Sequence, residues 1–130
     1  MSKKVLIIED EEYLAEMYKI KLEMEGFEVK IARDGETGLT LAKSELPDFI
    51  LLDIVLPKKD GYEILKELRR DEMTKSIKIY AWSNLGQAAE IKKGLEDGAD
   101  GYWVKANLTP KQLVDNVKKI LKGEEENKKD

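Results

Sequence analysis

The sequence predicts an α/β domain of the doubly wound type. Five βα units, (βα)5, should build one open parallel five-stranded sheet with helices on both faces. Three observations carry this. Short apolar runs alternate with longer amphipathic stretches along the chain. Three of the runs are almost continuously hydrophobic, as strands buried on both faces of a parallel sheet should be. Run starts recur at intervals of roughly 20 to 28 residues, about one βα unit each, and five units are too few for a closed eight-unit barrel.

The first run is Val5-Leu6-Ile7-Ile8, followed by a helical stretch with Leu14, Met17 and Tyr18 on one face. Gly26 ends that helix as a C-cap, ahead of the weaker run Val29 to Ala32. Asp34 opens the second helix, and Phe49-Ile50-Leu51-Leu52 forms the third strand. Ile64, Leu65 and Leu68 share one face of the third helix, before the run Ile77 to Trp82. Ala88, Ile91 and Leu95 are expected to share the buried face of the fourth helix, which Gly98 closes. After Tyr102-Trp103-Val104, Thr109-Pro110 starts a last helix that buries Leu113, Val117, Ile120 and Leu121. The domain is expected over residues 1–123, and the polar tail GEEENKKD (124–130 past its glycine) is expected to fray.

Composition narrows the chemistry. The chain of 130 residues is 42% hydrophobic and 38% charged, a globular composition. Its net charge of −4 argues against direct nucleic-acid binding, which needs a basic face. Cysteine and histidine are both absent, so thiolate and imidazole chemistry are excluded and any metal must sit on oxygen ligands. The apolar run at the N-terminus is too short for a signal peptide or a membrane span, and a cytoplasmic location is expected.

In open α/β sheets, ligands bind beyond the carboxyl ends of the strands, where strand order reverses. Glu9 and Asp10 follow the first strand, Asp53 the third, Ser83-Asn84 the fourth and Lys105 the fifth. If the strand order is 2-1-3-4-5, these groups converge on one pocket. Each has an ordinary alternative. Acids such as Glu11 and Glu12 suit any helix N-terminus, Asp53 could serve its own turn, Ser83 could cap the next helix, and Lys105 could be solvated. Together they describe clustered carboxylates that favour a cation: Lys105 can offset part of their repulsion and a hard divalent ion the rest, with Mg²⁺ the best fit because it uses one or two carboxylates plus phosphate oxygens. A hydroxyl, a lysine and Mg²⁺ around one aspartate suit phosphoryl transfer to that aspartate.

The motifs VLIIEDE at 5–11, D-x-x-LP-x-x-DG from Asp53 to Gly61, Ser83 after the fourth strand and GADGYWVK at 98–105 resemble the receiver domain of two-component response regulators. The resemblance implies the flavodoxin-like 2-1-3-4-5 order. It also implies that Glu9 and Asp10 form the acidic metal pair, Asp53 is the phosphoacceptor and the Val55 carbonyl is a metal ligand. Ser83 would be the switch hydroxyl, Tyr102 the switch aromatic, and Lys105 the site lysine. Val55 and Leu85 match the positions that tune the lifetime of the phosphorylated form. Two departures stand out: Ala106 follows Lys105 where the family usually has proline, and Trp82 precedes the serine. Trp82 is expected to fill the core with Tyr80 on the same strand face, and Lys58 and Lys59 to be solvated loop residues or to steer an acidic partner.

A flavin-type binder on the same sheet would need a phosphate-cradling loop where this chain has Glu9 to Glu12. An aspartate-nucleophile phosphatase would need an acid two residues after Asp53, where Val55 stands. A phosphorylation-independent interaction module is disfavoured by the complete pocket. The expectation is a stand-alone, non-enzymatic phosphoacceptor. It would be served by a histidine kinase or phosphotransfer protein and be monomeric or weakly dimeric. Its output would go to a protein partner through the face of helix 4, strand 5 and helix 5.

Overall fold

The structure, a computed structural model, describes residues 2–129, with side chains through Gly123. Five strands form one sheet in the order β2-β1-β3-β4-β5, every pair parallel: β1 (Lys4–Ile8), β2 (Glu28–Ala32), β3 (Phe49–Leu52), β4 (Lys78–Ser83) and β5 (Gly101–Val104). The helices between and after them are α1 (Glu12–Met24), α2 (Gly35–Glu45), α3 (Gly61–Arg70), α4 (Ala88–Glu96) and α5 (Pro110–Lys129). β1 and β3 are wholly enclosed because neighbours pair on both edges and helices cover both faces, which explains their unbroken apolar runs.

Side-chain alternation along the strands splits the interior into two layers. Leu6, Ile8, Ile50, Leu52 and Ile79 face α2 and α3, packing on Leu39, Ala42, Ile64, Leu65 and Leu68. Val5, Ile7, Phe49, Leu51 and Trp82 face α1 and α5, packing on Ala15, Tyr18, Leu22, Leu113, Val117 and Leu121. Trp82 therefore does fill the core on the Tyr80 side of β4.

Local signals set the boundaries. Asp34 caps α2 by accepting from the Thr37 amide at 2.8 Å, and Asp60 caps α3 by accepting from Glu63 at 3.0 Å. Gly26 and Gly98 hold φ of 95° and 117°, the left-handed geometry that suits glycine after a helix. The helical backbone of α5 continues through most of the polar tail to Lys129, while Asp130 lies outside the described residues.

One expectation is corrected. Ala88 and Leu95 are exposed and Ile91 is only half-buried, so the periodic apolar residues of α4 do not form its buried face. Gly94 alone is buried in that helix. A Cβ there would lie 2.8 Å from Cδ2 of Tyr102, so α4 approaches β5 through the one position without a side chain.

Candidate functional site

The carboxyl ends of β1, β3, β4 and β5 meet at a cleft of about 350 Å³, lined by Glu9, Asp10, Asp53, Val55, Ser83, Leu85 and Lys105 among others. The sheet places the two buried acids directly. The Glu9 amide donates to Ala32 O (2.9 Å) across the β1–β2 edge, and the Asp53 amide donates to Ile8 O (3.0 Å) across β1–β3. Gly61 closes the loop after Asp53, its amide donating to Ile54 O at 2.8 Å. A Cβ at that glycine would meet Ile54 Cα at 2.5 Å and Asp53 O at 2.6 Å, so the close approach of α3 requires glycine there.

Glu9 is 0% exposed and Asp53 5% exposed, while Asp10 lies at the exposed rim. The Lys105 ammonium bonds to Glu9 and donates to Asp53 Oδ2 at 3.0 Å. Burial pushes the Glu9 carboxyl up to about 7, against the hydrogen bond from Lys105 and with help from the Asp53 charge. Burial works against the Lys105 ammonium, but its bond to Glu9 and the Asp53 charge outweigh that and raise it above the ordinary lysine value. The second oxygen of Asp53 accepts from the Val55 amide at 3.1 Å. Asp53 thus serves its own turn and the cluster at once, and the two readings of that residue do not compete.

Ser83 is fully buried, and its Oγ accepts from the Leu85 amide at 3.1 Å. The helix cap after it is Gln87, which forms a reciprocal capping box with Glu90. Capping therefore does not explain the serine. Tyr102 packs on Gly94, and its hydroxyl donates to the Leu85 carbonyl. Burial pushes that phenol up to about 12. The aromatic ring is thus already held on the loop after β4. Val55 is 58% exposed at the mouth of the cleft. Lys105–Asn107 forms a single 3₁₀ turn, and no described peptide bond is cis. Lys58 Nζ lies 3.7 Å from Asp34 and Lys59 Nζ 2.8 Å from Glu67, so both loop lysines are paired at the surface.

One carboxylate oxygen from each of Glu9, Asp10 and Asp53 lies within 4.8 Å of the others. Three hard oxygen donors in that span fit a small divalent cation. A second groove of similar size, between α1 and α5, is lined by Lys21, Met24, Glu25, Lys111, Val114 and Asp115. No such acid cluster lies there among the described residues.

The chain matches the family model of the response regulator receiver domain over residues 5–118. It belongs to that family. Among curated relatives, the receiver domain is 40% identical over 119 residues to the probable transcriptional regulator ycf27 of Guillardia theta, covering 92% of this chain and 45% of that protein. It is 39% identical over 127 residues to the alkaline phosphatase synthesis transcriptional regulatory protein PhoP of Bacillus subtilis, covering 96% and 51%. The chain spans about half the length of the curated relatives it matches. A CheY-like receiver domain protein from Methanospirillum hungatei superposes with a TM-score of 0.88 at 28% identity, covering 98% and 99% of the two chains. A response regulator structure from Chloroflexus aurantiacus gives a TM-score of 0.85 at 35% identity, covering 93% and 98%.

Sequence reasoning missed one contact in this receiver domain. The Lys105 ammonium lies over the Trp82 indole, 4.6 Å from the ring centroid. The available signal was the place of Trp82 at the carboxyl end of β4, one residue before Ser83.

Proposed function

We propose that this receiver domain accepts a phosphoryl group on Asp53 from the phosphohistidine of a histidine kinase or phosphotransfer protein, or from a small acyl phosphate. The carboxylate oxygen attacks phosphorus in line, the bond to the donor nitrogen or oxygen breaks, and the donor leaves with its electron pair. The observation that carries this reading is the buried Asp53 carboxylate, held between the Lys105 ammonium at 3.0 Å and the Val55 amide at 3.1 Å. An aspartate in that setting is oriented and accessible from the cleft.

Glu9, Asp10, Asp53 and the Val55 carbonyl would hold Mg²⁺. When bound, the ion supplies positive charge against the phosphoryl oxygens. The Lys105 ammonium would add to that neutralisation, and the buried Ser83 hydroxyl can donate to one phosphoryl oxygen while its lone pair keeps the Leu85 amide. That donation draws on the loop that also accepts the Tyr102 hydroxyl. A change at the cleft is therefore conveyed to α4 and β5, and the face of α4, β5 and α5 is the output surface toward a protein partner. The domain catalyses only its own phosphorylation and slow dephosphorylation.

The test is labelling with acetyl phosphate and Mg²⁺. A hydroxylamine-labile phosphoryl adduct is expected on the parent protein and none on Asp53→Asn. An adduct of equal yield on Asp53→Asn would overturn the assignment of Asp53.

A further inference from the structure

Lys105 has little on its own element to hold it. Val104 before it lies half-exposed on the edge strand β5, and Ala106 and Asn107 after it are exposed. Its ammonium bonds to Glu9 and Asp53, the two carboxylates that the reading above gives to the cation and the phosphoryl group. A third contact does not compete with either. The Trp82 ring lies under the ammonium at 4.6 Å. That ring is 1% exposed, and Tyr18 fixes it edge-on at 4.9 Å with an interplanar angle of 83°. An indole face attracts a cation electrostatically, most strongly where water is excluded, and it carries no charge for a metal to capture.

We propose that Trp82 is a positioning residue for Lys105: its indole face keeps the ammonium at the cleft while Glu9 and Asp53 are engaged, and so speeds phosphorylation of Asp53. The inference rests on the proposed role of Asp53. Core filling accounts for the volume of Trp82 but not for its place under the ammonium. Phe49, Tyr80 and Trp103 already stack on one another in the same layer.

The experiment compares phosphorylation rates at saturating Mg²⁺ and acetyl phosphate. Trp82→Leu is expected to slow the reaction by roughly three- to tenfold, with Trp82→Phe between it and the parent. Mg²⁺ affinity should change little. In a Lys105→Ala background, adding Trp82→Leu should change the rate by less than about twofold, because the effect runs through the lysine. The ε-methylene protons of Lys105 should resonate upfield of other lysines in the parent and lose that shift in Trp82→Leu. If the leucine variant fails to fold, Trp82→Phe carries both readouts. A parental rate in the Trp82 variants, or an undiminished loss in the Lys105→Ala background, would overturn the proposal while leaving Asp53 as the acceptor. Absence of labelling on the parent protein would remove the reading of Asp53, and the proposal with it.

Discussion

Val55 and Leu85 line the cleft with Asp53 and are both apolar, and on the proposed reading they flank the approach of water to a phosphoryl group on that aspartate. An acyl phosphate is lost when water attacks phosphorus opposite the aspartate oxygen. Neither side chain can hydrogen-bond that water, and both can shield the phosphorus. The backbone of Leu85 is engaged at both ends, its amide with Ser83 and its carbonyl with Tyr102, so the side chain can be changed without disturbing those bonds. The double variant Val55→Asn with Leu85→Glu is expected to shorten the lifetime of the phosphorylated form, with little change in Mg²⁺ affinity. Decay no faster than the parent's, measured by loss of the phosphorylated species over time, would show that water positioning at these residues does not limit the reaction. At this scale the sequence was highly legible. Glu9, Asp53 and Lys105 each follow a strand and Ser83 ends one, and a parallel sheet brings strand ends together. The Trp82 contact was hidden because it depends on where the Lys105 side chain crosses β4, which no periodicity reports.

Among the elements, α4 departs furthest from its sequence pattern. Its apolar spacing suggested a face of Ala88, Ile91 and Leu95, yet the helix rests on Tyr102 through Gly94. Periodicity finds faces made of large side chains and is blind to a contact that requires none. The same blindness applied to Gly61, whose motif position was read as family likeness rather than as a close approach of α3 to Ile54. Gly94→Ala puts a methyl group 2.8 Å from the Tyr102 ring, so the ring or the helix must shift. The gain in helix propensity, about 0.5–1 kcal/mol, offsets part of the overpacking cost of about 1–3 kcal/mol. The expected outcome is a net stability loss of up to about 2.5 kcal/mol by denaturant unfolding, with a clear displacement of the Tyr102 ring resonances. Unchanged ring resonances would contradict the contact.

For the whole molecule, the sheet divides the interior into two layers and leaves the cleft at its carboxyl edge. The central strands were legible because burial on both faces forces continuous apolar runs. The strand order came from family likeness joined to the convergence argument, since no single run encodes its neighbours. The architecture runs a short series of contacts from the wall of the cleft toward the surface: Ser83, which lines the cleft with Asp53 and Lys105, to Leu85, Leu85 to Tyr102, and Tyr102 to Gly94 on α4. The most direct measurement of the central claim is an amide chemical-shift map of the protein with Mg²⁺, and with Mg²⁺ plus beryllofluoride as a phosphoryl mimic. Millimolar Mg²⁺, about the level a weak carboxylate site needs, should move resonances at Glu9, Asp10 and Asp53. The mimic should add changes from Ser83 through Leu85 to Tyr102 and α4. Silence at the three carboxylates, or mimic-dependent changes that never reach Tyr102 and α4, would contradict the account.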